Sequence, residues 1–203
     1  MNENCIRFSD ALASAAPVPG GGGAAAYCGA LAASLCAMAG NVTAGRARYA
    51  DRRTALEPVL ERCERLRLRL LSLVDEDAEG FAPLSAAYAI PREAPDRAER
   101  LRRASADACK APAEMLEVCA ELTELLEEME GLASPLLLSD VGCGAALCAS
   151  AMESAALNVL VNVRSFPEDR ELAALRDKTE EILEKCLPRA RALYSRVRAG
   201  LES

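Results

Sequence analysis

The sequence contains no histidine and no tryptophan, and aromatic residues make up only 3% of it. Without histidine, the most frequent general base and the most frequent metal-binding imidazole are both missing. The nine cysteines do not fill that gap, because their number is odd and no CxxC pair occurs. Cys28, Cys36, Cys143 and Cys148 stand inside alanine-rich runs and read as small buried hydrophobes of a reducing compartment. No metal site is expected.

A basic excess is also missing. The formal net charge of -7 argues against a general nucleic-acid binder, which would carry a basic stripe. The charge is uneven: arginines outnumber acids between Arg46 and Arg69, whereas residues 114–130 hold seven glutamates and no base. Ordinary solvated helix faces account for such runs. The amino-terminal MNENCIRFSD lacks a basic stretch followed by an apolar segment, so no secretory leader is expected and the protein is placed in the cytoplasm.

Strand signals are nearly absent, because no alternating run of β-branched and aromatic residues is bounded by turn residues. Helix-period patterns cover most of the chain instead. They predict an all-α, up-and-down bundle of five to six long helices in one domain spanning residues 1–203. A short helix is expected over Cys5–Ala13 and a second over about Gly23–Thr43. A long amphipathic helix follows from Asp51, with Leu56, Leu60, Cys63, Leu66, Leu70 and Leu73 on one stripe and Pro83 kinking or dividing it. Asp96 can cap a helix running through Glu128, bent near Pro112. Another ends near Ser165, and a last one starts at Pro167 with Pro188 as a candidate kink.

No charge occurs from residue 11 to residue 45. The length would suit a membrane span, but the side chains are mainly Ala and Gly, which gain little from lipid, and no membrane association is expected. A Walker loop is excluded because PVPGGGG lacks both the lysine and the preceding strand. Glycines before a helix still expose its first N–H groups, to a ligand or to a closely packed neighbour.

A second uncharged stretch, residues 131–163, holds only Asp140 and Glu153 as charges. An isolated carboxylate in apolar surroundings must be hydrogen-bonded, placed at a helix end, or shifted toward its neutral form. Ser139 and Asp140 could serve as a helix cap. Asp140 and Asn158 lie eighteen residues apart on one helix face, with Asn162 one turn further. That spacing is roughly 27 Å along an α-helix, too far for one compact substrate. A long ligand, copies of a site in an oligomer, or polar pairs between helices would each satisfy it.

Five blocks stand in order along the chain: PVPGGGG, NVTAGRARY, DAEGF, AYAIP, and LSDVGCGAAL followed by ESAALNVLVNVRSF. In this register the sequence resembles the cyclodeaminase/cyclohydrolase family, over nearly its whole length. The family includes the carboxy-terminal domain of formiminotransferase-cyclodeaminase and stand-alone methenyltetrahydrofolate cyclohydrolases. The resemblance implies a dimeric helical fold with a tetrahydrofolate derivative as substrate, bound near the subunit interface, and no separate cofactor. The reactions implied are closure of 5-formiminotetrahydrofolate to the 5,10-methenyl form with loss of ammonia, or hydrolysis of the methenyl bridge.

By the same resemblance, Gly20, Gly21, Gly22, Gly23, Arg46, Arg48, Tyr49, Asp77, Ser139, Asn158, Asn162 and Arg164 are expected to bind substrate. Pro19, Thr43, Gly45, Phe81, Tyr88, Pro91, Gly142 and Glu153 also match family positions. Asp140 is expected to be the acid/base or the pterin anchor, and Arg46, Arg48 and Arg164 to attract glutamate carboxylates, including those of a polyglutamylated folate. The sequence departs from the family pattern at Gly23, where relatives carry serine, at Leu132–Leu137, which replace a polar approach to the aspartate, and at Leu160. A non-enzymatic protein that binds folate, another small molecule or a protein partner on the same scaffold is the alternative.

Overall fold

The computed structural model describes residues 2–202. Six α-helices are present: α1 (Asn2–Ala13), α2 (Gly21–Ala44), α3 (Arg53–Tyr88), α4 (Arg97–Leu132), α5 (Leu138–Val163) and α6 (Arg170–Glu202), and no strand occurs among the described residues. Two 3-10 turns, Ala47–Arg52 and Pro135–Leu137, lead into α3 and α5. Helices α2 to α5 alternate in direction and form the core, each packed against its neighbours in the ring, while α6 lies against α4 and α5.

The apolar stripe expected on α3 is the one that is buried: Leu56, Cys63, Leu66, Leu70 and Leu73 all face the core. Proline does not divide the helices: α3 runs unbroken through Pro58 and Pro83, α4 through Pro112 and α6 through Pro188. Each proline removes one helical N–H, but packing along the rest of a ten-turn helix outweighs that loss. α5 starts at Leu138 with no side-chain cap, so Ser139 and Asp140 sit in its first turn rather than before it. Asp96 does hold the N-cap position of α4, yet its carboxylate pairs with Arg100 at 2.7 Å instead of capping the helix.

The alanine-rich helices answer a packing requirement. Gly144 of α5 sits so close to α2 that a Cβ there would lie 3.3 Å from the Ala32 carbonyl oxygen and 2.9 Å from Leu126 Cδ2. Only a run of Gly, Ala and Cys lets two backbones approach in this way. By length and mean hydropathy (1.4 each) α2 and the segment Pro135–Val163 could both cross a membrane, but here they pack on one another with about half of each buried.

The uneven charge resolves into ladders between helices. Arg62 and Arg65 of α3 reach Glu121 of α4 at 3.3 and 2.7 Å, and Arg69 reaches Glu114 at 2.5 Å. On the other side of α4, Arg189 and Arg196 of α6 meet Glu127 and Glu130 at 2.6 and 2.8 Å. The acidic helix is thereby matched to basic neighbours on both sides. Exposed pairs of this kind contribute little stability, so their effect falls on helix order and register.

All nine cysteines are free thiols and six of them are buried, Cys36 and Cys148 among them as expected, but Cys28 is half-buried and Cys143 is exposed on the outer side of α5. Stability rests on leucine and methionine in the interior. Truncating Leu125, fully buried on α4, to alanine is expected to cost about 2–5 kcal/mol, read as a lowered urea midpoint at unchanged slope.

Candidate active site

A cavity of about 230 Å³ opens at the amino-terminal end of α2. It is lined by Pro17, Val18, Gly20, Gly21 and Gly22, by Asp77 and Phe81 of α3, Ala108 and Pro112 of α4, and Asn158, Val161 and Asn162 of α5. Four elements converge because α2 and α4 run up from this end while α3 and α5 run down to it.

The first turn of a helix leaves its N–H groups without helical partners. In α2 the Ala24 N–H bonds to the Gly20 carbonyl at 3.0 Å and the Gly23 N–H donates to the Asp77 carboxylate. The N–H groups of Gly21 and Gly22 remain at the cavity wall, at the positive end of the helix dipole. Asp77 sits directly behind them, and a Cβ on Gly22 would overlap its carboxylate. Burial pushes the Asp77 carboxyl above the usual carboxylate range, and the Gly23 N–H offsets part of that shift.

The remaining walls are amide and apolar. Asn158 donates through Nδ2 to the Ser154 carbonyl at 2.8 Å, which leaves its Oδ1 as an acceptor facing Gly21. Asn162 bonds to the Cys109 thiol, whose pKa burial pushes up to about 11. Pro112 has no N–H to give the Ala108 carbonyl one turn back, and both residues line the cavity. The cavity thus offers acceptors at Asp77, Ala108 and Asn158, donors at Gly21 and Gly22, and apolar faces from Phe81 and Val161.

Of the residues expected from sequence, Gly20, Gly21, Gly22, Asp77, Asn158 and Asn162 come together here, with Gly23 tied to Asp77 from behind. Arg164, exposed at the C-cap of α5, lies two residues past Asn162. Asp140 and Ser139 stand at the opposite end of α5, and one chain does not bring them to this cavity. Arg46, Arg48 and Tyr49 also belong to that far end. There, Arg46 Nη1 meets Ser134 Oγ at 3.4 Å, and the guanidinium groups of Arg48 and Arg52 lie 5.8 and 4.8 Å from the Tyr49 ring centre. Buried Thr43 accepts from the Ser134 N–H at 2.9 Å and ties the end of α2 to the start of α5. Glu153, the other isolated acid, forms a surface pair with Arg191.

Of the lining residues, Pro17 and Val18 belong to the PVPGGGG block, whereas Ala108, Pro112 and Val161 were not among the expected site residues. Only Pro112 left a signal, as a proline inside a strongly periodic helix. No group of three His, Cys, Asp or Glu side chains able to hold a metal occurs among the described residues.

An antiparallel helical bundle with a half-buried carboxyl in a cavity of peptide N–H and amide groups defines a helical protein with a small-molecule cavity that offers hydrogen bonds and one group able to move a proton. The family model described as formiminotransferase-cyclodeaminase matches residues 4–181, and the chain belongs to this family. It is 36% identical to a methenyltetrahydrofolate cyclohydrolase of Methylorubrum extorquens, across 100% of this chain and 97% of that protein. It is 28% identical to the formimidoyltransferase-cyclodeaminase of Rattus norvegicus, covering 91% of this chain but only 34% of that longer protein. The crystal structure of a formiminotetrahydrofolate cyclodeaminase from Thermotoga maritima superposes with a TM-score of 0.80 at 29% identity, over 96% of this chain and 93% of that one.

Proposed function

We propose that the protein is a cytoplasmic enzyme of one-carbon folate metabolism, a cyclodeaminase or cyclohydrolase acting on a tetrahydrofolate derivative without a separate cofactor. The observation that carries this reading is the set of groups around Asp77. A pterin ring presents several N–H groups and one carbonyl, and the cavity supplies several acceptors and two peptide N–H donors at matching chemistry. Either reaction passes through a tetrahedral carbon between two ring nitrogens. It therefore needs orientation and one group that moves a proton, and a carboxyl whose proton affinity is raised by burial suits that task. Asp77 protonates the departing ammonia, or takes a proton from the attacking water.

Measuring ammonia release from the formimino substrate beside absorbance loss from the methenyl substrate separates the two activities. Binding without turnover would favour the non-enzymatic reading, and neither would remove folate from the function.

The second part of the proposal is a homodimer. α2 carries no charged residue, and its outward side exposes Leu31, Met38 and Val42, beside Leu157 and Val161 of α5. An uncovered apolar face of this extent on a protein this acidic is explained by a partner surface. Two α2 helices packed antiparallel about a twofold axis would set the Gly21 end of one copy near the Ala44 end of the other. Asp140, Arg46 and Arg48 would then serve the partner's cavity, with the arginines placed for the glutamate carboxylates of a polyglutamylated folate. Leu31→Glu and Met38→Glu are expected to convert the dimer to monomer in light scattering, and a wild type that already runs as a monomer would remove this part. No role in nucleic-acid or membrane binding is proposed.

A further inference from the structure

Between the last turns of α3 and the first turns of α4, a second cavity of about 360 Å³ is lined by Pro83, Ala86, Ala87, Ile90, Arg100, Arg103, Ala104 and Asp107. Its size falls within the range of small-molecule sites. The floor belongs to a small apolar cluster separate from the main core, built on Leu84, Ala87, Ala104 and Ala108. The space exists because alanine faces alanine where α3 and α4 would otherwise interdigitate larger side chains. Ile90 closes one end, fixed by the Arg97 Nε bond to its carbonyl at 2.9 Å.

The charged groups at its rim are unequally satisfied. Asp107 is neutralised by Lys110 at 2.6 Å. Arg100 pairs with Asp96 across an exposed contact, which is easily exchanged. Arg103 makes no hydrogen bond or ion pair among the described residues, and Glu99 one turn before it is already held by Arg102 at 3.2 Å. An apolar floor beneath two guanidinium groups one turn apart, one of them unpaired, is complementary to an oxyanion on an apolar body.

We propose that this cavity binds a small amphipathic organic anion, with its carboxylate, phosphate or sulfonate head on Arg103 and Arg100 and its apolar part against Ala87, Ala104 and Ile90. The site is independent of the folate reading, because it shares no lining residue with the Asp77 cavity, although Ala108 of its floor cluster also lines that cavity.

The test is a fluorescence titration with 8-anilinonaphthalene-1-sulfonate, an aromatic sulfonate of this class, on the full chain. One saturable site per chain is expected. Arg103→Ala, an exposed substitution that leaves the core untouched, should weaken it by about tenfold or more. Ala104→Leu, which fills the cavity, should abolish it, and Asp77→Asn should leave it unchanged. Binding that is not saturable, that persists at full strength in Arg103→Ala, or that disappears in Asp77→Asn would overturn the proposal. The last outcome would place the probe in the glycine-turn cavity, whatever the fate of the folate activity.

Discussion

Replacing Asp77 with asparagine is expected to lower turnover of the tetrahydrofolate substrate by about 10²- to 10⁴-fold, the range that a single proton-transferring group contributes. Helical content should not change, because asparagine fills the same space and can still accept from the Gly23 N–H. The loss should fall on kcat more than on KM. The amide keeps an acceptor for the pterin but cannot give up or take a proton.

The same variant has a signature in stability. The folded Asp77 carboxyl holds its proton to higher pH than it does in the unfolded chain, because burial disfavours its charged form. Its favourable contribution is therefore present below the ordinary aspartate range, about pH 3.9, and is lost as pH rises from there through the raised folded value. Asp77→Asn should flatten that part of the stability profile in urea titrations. Comparing Asp77→Asn with Asp140→Asn, at the far end of α5, in turnover decides which carboxyl carries the proton. Equal activity of Asp77→Asn and wild type would remove Asp77 from the mechanism.

Gly22→Ala is expected to lose about 10²-fold or more in kcat/KM, although alanine is the better helix former. The added methyl would occupy the place of the Asp77 carboxylate. Either Asp77 turns away and loses the Gly23 N–H, or α2 shifts from α3 at a cost of about 1–3 kcal/mol. Gly23→Ser, one residue on, provides the control. A Cβ there meets Pro19 Cβ at 3.3 Å and Val74 Cγ1 at 3.7 Å, contacts that a small adjustment accommodates. It should therefore fold and retain activity, and it introduces the serine that the family resemblance leads one to expect at this position. If the alanine variant at position 22 kept full activity, the close approach of α2 to Asp77 would not be a requirement of the site.

The helical fold was legible because its signals are periodic. Leu56, Leu66, Leu70 and Leu73 recur at helical intervals, and each is buried as that recurrence demands. The prolines were misleading because a helix is judged locally in a sequence but held globally in a bundle. Pro112 breaks one hydrogen bond of a helix that buries Met115, Leu116, Leu122, Leu125 and Leu126 immediately beyond it. The uncharged stretch from residue 11 to residue 45 had three readings of similar length and composition. What separates them is α5, whose Gly144 comes within van der Waals distance of the Ala32 carbonyl in α2.

The sequence by itself determined the class of fold, the absence of histidine chemistry and the set of polar residues from which a site must be drawn, since these follow from composition and from spacing along one helix. Only the tertiary structure decided which of those residues meet. Asp140 drew attention because it is isolated in the chain, whereas Asp77 lies in a charged segment beside Asp75, Glu76 and Glu79 and looks solvated. Folding half-buries both, and it is Asp77 that meets the glycine turn. α3 turns Asp77 against the uncovered N–H groups of α2, and desolvation, which depends on neighbours brought in from distant parts of the chain, gives that carboxyl its unusual proton affinity.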